Sequence, residues 1–376
     1  MNRRKVCYIT GTRADFGLMQ STLLRIQQSD VLELSIIVTG MHLLNEYGLT
    51  LSEIRAAGLP IAAQVAVEGG PPTGASMAKN IGRMLIGFVE ALETIQPDIV
   101  MVLGDRGEML AGAVGAIHLG IPIVHIHGGE RSGTVDEPMR HSISKLAHFH
   151  FVATDESRTR LLRMGELADH IFIVGAPGLD GLKELAVVHR QTLCADVGFD
   201  PARPVALLVY HPVLQEADRA EEYAALIVDT VLARGIQIMA LKPNSDAGSA
   251  GVRAMLERRA SAGQIRLAAH FPRQEYVSWL AASDVLVGNS SSGVIEAATF
   301  GTPVVNIGSR QHLRQRNANV IDCAVDRASV DDALACALAS PRFDPYNVYG
   351  DGRAGERIAD LLASIDLSSV AKINVY

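Results

Sequence analysis

Two stretches of the chain repeat one plan, and that plan restricts the fold more than any other feature. Ile99–Leu103 is a short apolar run, broken by Gly104-Asp105-Arg106-Gly107. Met109–Leu119 carries strong helix formers, and Pro122–Ile126 is a second apolar run. Residues 285–307 follow the same order: Val285–Val287, the turn Gly-Asn-Ser-Ser-Ser-Gly at 288–293, a helical stretch, Gly-Thr-Pro, and a closing apolar run. Short, wholly apolar β-branched runs suit strands buried on both faces, as in parallel sheets. Parallel neighbours need a crossover, and the helix between them supplies a right-handed one. The same alternation runs through Val6–Thr10, Leu34–Thr39, Phe149–Ala153 and Ile171–Val174, and again through Val205–Tyr210, Ile236–Leu241 and Ile265–Ala268. The chain is therefore expected to form two α/β units, each a parallel sheet covered on both sides.

A length of 376 residues suits two domains with separate cores. The pattern pauses at Ala176-Pro177-Gly178, and a polar, irregular passage follows as far as Pro204. The expected division is 1–177 and 178–352, with an amphipathic helix at about 353–367 packing back on the first domain. A net charge of −7 argues against a general nucleic-acid or membrane-surface binder. No apolar run reaches the length of a membrane span. The start, MNRRKVCYITGTR, has too short an apolar part for a signal peptide. Cys7, Cys194, Cys323 and Cys336 show no paired spacing, so a reducing cytoplasm fits and no zinc site or disulfide framework is expected.

In open parallel sheets ligands sit beyond the carboxyl ends of the strands, and here those ends carry the chemistry. GNSSSG is the place where a strand ends and a helix begins, which suits phosphate binding through free N–H groups and the hydroxyls of Ser290 and Ser291; simple N-capping explains it equally. Glu296, further along that helix, is either a ribose acceptor or a surface glutamate. GTRADFG at 11–17 is the matching turn of the first half; Arg13 reaches a diphosphate or is solvated, and the Walker Lys-Ser/Thr ending is missing. His211-Pro212 closes a buried strand, placing an imidazole as phosphate donor, acid or packing residue. Asn244 and Asp246 end the next strand. Asp105, Glu130 and Asp136 converge at the opening stretch, with Arg106, Arg131 and Arg140 to balance them. Crowded carboxylates should raise the pKa of one, as a general base or acid near neutral pH requires; a structural ion-pair network is the other reading.

Taken together, GTRADFG, VLGDRGEMLAGA, HIHGGERSGTVDEPMRHSISKLAH, the HPV at 211–213, GNSSSGVIEA, GTPVVNIGSRQ and NVYGDG resemble the hydrolysing UDP-N-acetylglucosamine 2-epimerases. The resemblance runs from about Val6 to Leu362. It implies two Rossmann-like domains facing a cleft, in the manner of the GT-B glycosyltransferases. It also implies a reaction. UDP leaves C1 as a base takes the C2 proton, giving a 2-acetamidoglucal, and water then adds to give the free manno-configured sugar. Asp105 and Asp136 match acid/base carboxylates, with Glu130 beside them. Arg13, His211, Ser290, Ser291, Glu296 and Arg310 match positions that hold UDP, Asn244 less closely, and closure brings Arg13 and Arg106 to the phosphates. The family pattern reads H-I-E-G-G-E where this chain reads H-I-H-G-G-E, so His127 stands at the place of a catalytic glutamate; either it fills that role or Glu130 or Asp136 does, and the expectation is that His127 and Asp105 share the proton work.

The substrate implied is UDP-N-acetylglucosamine, giving N-acetylmannosamine for sialic-acid-type sugars. UDP-N,N′-diacetylbacillosamine, on the way to legionaminic acid, is the alternative within the same chemistry. A GT-B glycosyltransferase and a non-enzymatic UDP-sugar sensor are the readings from other classes. No metal and no cofactor is expected, and members commonly form homodimers, or dimers of dimers, through the first domain.

Overall fold

The structure, a computed structural model, describes residues 3–45, 50–70, 73–132, 136–244, 246–339, 342–368 and 371–375. Among the described residues thirteen strands divide between two sheets. The first contains β1 (Arg4–Thr10), β2 (Leu32–Thr39), β3 (Ile61–Val65), β4 (Ile99–Leu103), β5 (Ile123–Ile126), β6 (Phe149–Val152) and β7 (Ile171–Ile173) in the order β3-β2-β1-β4-β5-β6-β7. The second contains β8 (Val205–Val209), β9 (Gln237–Leu241), β10 (Arg266–Ala268), β11 (Val285–Gly288), β12 (Val304–Ile307) and β13 (Val320–Cys323) in the order β10-β9-β8-β11-β12-β13. All of the pairings are parallel. Apolar strands such as Ile99–Leu103 and Val205–Val209 are buried along their whole length because helices cover both faces.

In each sheet the strand order reverses at one point, between β1 and β4 and between β8 and β11. Diverging crossovers open a crevice there, at the carboxyl ends of the strands. The two crevices receive GTRADFG and Asp105 from the first sheet, and His211 and GNSSSG from the second.

The chain passes between the sheets twice, side by side. The Ala176 N–H donates to the Tyr349 carbonyl at 2.8 Å. The helix Ala354–Ser364 then lies on the helix Arg13–Gln27, with Ile358 and Leu362 buried in one cluster with Phe16, Met19 and Leu23. Its first turn is held by Asp180, whose carboxylate accepts from the Ala354 and Gly355 N–H groups at 2.9 and 2.5 Å.

The passage read as irregular up to Pro204 contains the helices Leu182–Leu185 and Arg190–Val197. Their few apolar residues give too little periodicity to read. Leu193 and Cys194 nevertheless pack under Trp279 in the second core. The edge strands β3 (IAAQV) and β13 (VIDC) are absent from the sequence reading; both are short, and Gln64 and Asp322 interrupt their apolar runs. Trp279 is a core residue, its ring 6.2 Å from that of Phe271. Among the described residues no helix is long and apolar enough to cross a membrane, and no cluster of three or more metal-ligating side chains occurs.

Gly288 is where the second switch point demands glycine. Its φ is +138°, and a Cβ there would overlap the Val209 carbonyl of the neighbouring strand. Gly288→Ala is expected to cost more than about 1 kcal/mol of stability in urea unfolding, because neither backbone can retreat. An unchanged midpoint would show that the close approach is dispensable.

Candidate active site

A cavity of about 380 Å³ lies between the two sheets. Of the sequence-predicted residues, Arg13, Asp105, Arg106, His127, Asp136, His211, Asn244, Ser290, Ser291, Glu296 and Arg310 line it. Glu130, Arg131 and Asp246 are not among the lining residues. Glu130 sits behind His127, 4% exposed, and reaches the cavity only through its neighbours.

One half of the cavity starts at the end of β4, where Asp105 pairs with the fully buried Arg140 and lies 4.0 Å from Arg314. Just past β5, His127 takes φ = +62°, one of two positive values outside glycine among the described residues. That left-handed turn is costly for most side chains and tolerated better by histidine than by β-branched ones. It brings the Nδ1 of His127 within 2.5 Å of Glu130 Oε1. With a carboxylate as partner Nδ1 carries the hydrogen, and in the neutral imidazole the lone pair is then on Nε2. Glu130 is also held by Arg314, from the second half of the chain. Burial pushes the Glu130 carboxyl up, but Arg314 and the bond from His127 outweigh it and bring the pKa down to about 2.

The expected crowding of three carboxylates is therefore relieved by arginines: Arg140 at Asp105, Arg314 at Glu130 and Arg310 at 3.9 Å from Asp136. Glu130 shifts in the opposite direction to a general base. The cleft carboxyl that burial does raise is Asp15, to about 6; it accepts from the Gly11 and Thr12 N–H groups and holds the GTRADFG turn in shape. Asp136 opens the helix Asp136–Leu146; residues 133–135 of the motif before it lie outside the described residues.

The other half of the cavity gathers arginine, histidine and serine donors. His211 accepts at Nδ1 from the Asn244 N–H at 3.2 Å, which leaves Nε2–H as the donor. Burial and the nearby Arg310 push its pKa well below the ordinary value, so the imidazole is neutral. Asn244 thus positions His211 through its backbone, while its side-chain amide donates to Asp246 at 2.5 Å. Ser290 caps the helix Ser291–Ile295 and accepts from the Ser292 N–H at 3.3 Å. That helix has only 5 residues, so its dipole is short and hydroxyl and backbone donors must carry more of any anion contact than a long helix would require. Arg13 pairs with Glu53 at 2.8 Å, and its Nη2 is buried with no hydrogen-bond partner among the described residues. A buried donor without a partner is costly, and an anionic ligand would satisfy it. Arg106 spans the cleft, 3.3 Å from Glu108 and 3.5 Å from Asp246. Arg310 donates to the Asn289 carbonyl at 3.2 Å.

Glu296 is not a surface residue. It is 2% exposed and paired with Arg273. Arg273 and Arg314 were missed by sequence reasoning. Both lie outside the glycine-rich turns, and the only available signal was an arginine shortly after a strand in the second half.

The fold and cleft define a two-domain α/β enzyme of GT-B-like architecture with carboxylate–arginine pairs facing a cluster of arginine, histidine and serine donors. Comparison with known proteins narrows this. The pattern described as UDP-N-acetylglucosamine 2-epimerase matches residues 24–363. A UDP-N,N′-diacetylbacillosamine 2-epimerase (hydrolyzing) of Legionella pneumophila is 49% identical over 99% of this chain and 100% of its own length. A UDP-N-acetylglucosamine 2-epimerase of Neisseria meningitidis is 36% identical over 96% of this chain and 95% of its own. The crystal structure of UDP-GlcNAc 2-epimerase from Neisseria meningitidis bound to UDP-GlcNAc superposes with a TM-score of 0.79 at 17% identity, over 95% of this chain and 99% of that one, and so shares the fold. The chain belongs to the UDP-N-acetylglucosamine 2-epimerase family.

Proposed function

We propose that this enzyme is a hydrolysing 2-epimerase of a UDP-activated 2-acetamido sugar. The observation that carries the reading is the arrangement of the cleft: a His127–Glu130 pair and Asp105 on one wall, opposite Arg310, His211 and the serine turn on the other. UDP is held by the second half, with the ribose at Glu296 and the diphosphate at Ser290, Ser291, His211, Arg13 and Arg310. The C2–H electrons form the C1=C2 bond, the C1–O bond breaks, and UDP leaves with that oxygen. Water then gives its hydroxyl to C1 and a proton to C2 from the opposite face.

His127 Nε2 and the Asp105 carboxylate are the two groups that exchange protons with the sugar. Glu130 acts through His127, fixing its tautomer and stabilising the imidazolium as it forms, the role a buried carboxylate plays behind a catalytic histidine. Arg13 and Arg106 meet charge that grows on the diphosphate as it departs.

Two substrates fit this chemistry. UDP-N-acetylglucosamine is the family's namesake. UDP-N,N′-diacetylbacillosamine is favoured by the full-length similarity at 49% to the Legionella enzyme, against 36% for the Neisseria one. Phe16, Leu18, Met41 and Leu103 line the first-domain side of the cavity, which suits a sugar without a 6-hydroxyl. Given both UDP-sugars together, the enzyme is expected to release UDP and a free manno-configured sugar from the diacetamido substrate, at a kcat/KM at least about tenfold higher, as read by NMR. Preference for UDP-N-acetylglucosamine would reverse the substrate assignment, and release of UDP from neither would end the epimerase reading.

A further inference from the structure

Glu296 meets Arg273 at the point where the chain passes from one half to the other. Arg273 opens the helix Arg273–Ala282, and a single atom, Nη2, both pairs with Glu296 Oε1 and donates to the Gly178 carbonyl at 2.9 Å. Gly178 belongs to the short turn Pro177–Leu179 in the linker. That turn is packed tightly: a Cβ on Gly178 would overlap Leu18, and would lie 3.4 Å from Glu296 Oε1. Leu18 lies on the helix Arg13–Gln27, and a Cβ on Gly17 of that helix would lie 3.6 Å from Arg273 Cδ. Arg273 therefore bonds the proposed ribose carboxylate and the linker through its guanidinium, while its Cδ lies beside Gly17 of the helix that carries Arg13. Both members of the pair are largely withdrawn from water, with side-chain exposures of 17% and 2%, so the contact is not a screened surface bridge.

We propose that Arg273 is a positioning residue that couples ribose recognition to the linker between the two halves. The inference rests on the UDP reading above and deepens it. Arg273 engages Oε1 and so orients Glu296 with Oε2 presented to the ribose hydroxyls. A ribose bound there stiffens Glu296, Arg273 and the 177–179 turn together, and through Leu18 and Gly17 it settles the helix whose first residue is Arg13. Occupancy of the nucleoside end is in this way transmitted to the first-domain cation that meets the diphosphate.

The test compares UDP with 2′,3′-dideoxy-UDP by calorimetry on the full chain, together with hydrogen exchange of the 176–180 amides with and without UDP. The wild-type protein is expected to bind UDP about tenfold more tightly than the dideoxy analogue and to show slowed exchange at 176–180 when UDP is bound. Arg273→Met should bind the two nucleotides equally and lose the slowing. Arg273→Lys, which restores one charged nitrogen, should recover both. Should the methionine variant fail to fold, Arg273→Gln carries the same expectation. A folded Arg273→Met or Arg273→Gln that keeps the preference and the slowed exchange overturns the coupling. Equal wild-type affinity for the two nucleotides overturns the ribose contact and the coupling with it, and a wild-type protein that binds neither overturns the UDP reading itself.

Discussion

Replacing His127 with asparagine is expected to lower turnover by about 10²- to 10⁴-fold while UDP affinity stays within about threefold. Asparagine is the informative choice. His127 has φ = +62°, and asparagine is among the few residues that tolerate this conformation, so the turn survives. Its amide nitrogen still has an acceptor in Glu130, so Glu130 and Arg314 keep their environment. What disappears is the ring nitrogen with a lone pair. A loss confined to kcat would place His127 on the proton-transfer step. An equal rise in KM with unchanged kcat would make it a binding residue, and turnover near the wild-type level would remove it from the chemistry.

Glu130→Ala should act on the fold as well as on the rate. Glu130 is 4% exposed and serves Arg314, itself nearly buried, together with His127. Removing one partner of a buried ion pair leaves the other uncompensated, which costs about 3–5 kcal/mol. The effect has a pH signature. The folded-state pKa of about 2 lies below the ordinary 4.5, so the ionised carboxylate stabilises the fold. That contribution is complete above the ordinary value and is lost as the pH falls through the window from 4.5 towards about 2. Urea unfolding should therefore show Glu130→Ala far below the wild type at neutral pH, with the gap narrowing across that acidic window. A constant gap would mean that the loss comes from packing alone.

These two residues also show what the sequence makes legible. Strand ends could be read because an apolar run stopped by glycine and charge leaves few alternatives to a parallel strand, and parallel strands all deliver their carboxyl ends to one side. Asp105, His211 and Ser290 are read that way, whereas His127, just past β5, is singled out by the family pattern. The His127–Glu130 spacing is local and could be read as a pair, but its depth could not. Burial of Glu130 depends on Arg314, 184 residues away. The same holds for Glu296: at the end of the short helix Ser291–Ile295 its sequence leaves ribose acceptor and surface glutamate both open, and only Arg273 and the linker turn show that it is enclosed. Asn244 illustrates the reverse case. It stands at the predicted place, yet its backbone holds His211 and its side chain holds Asp246. Position along a strand is a local property, whereas the partner that fixes a charge comes from the packing of two sheets.

The most direct measurement is turnover of the preferred UDP-sugar in deuterated, ¹⁸O-enriched water, with the products followed by NMR and mass spectrometry. Elimination and rehydration predict a free manno-configured sugar carrying deuterium at C2, and UDP that contains no ¹⁸O because the C1–O bond is the one that breaks. UDP labelled with ¹⁸O, or a released sugar that retains its original hydrogen at C2, would contradict the account.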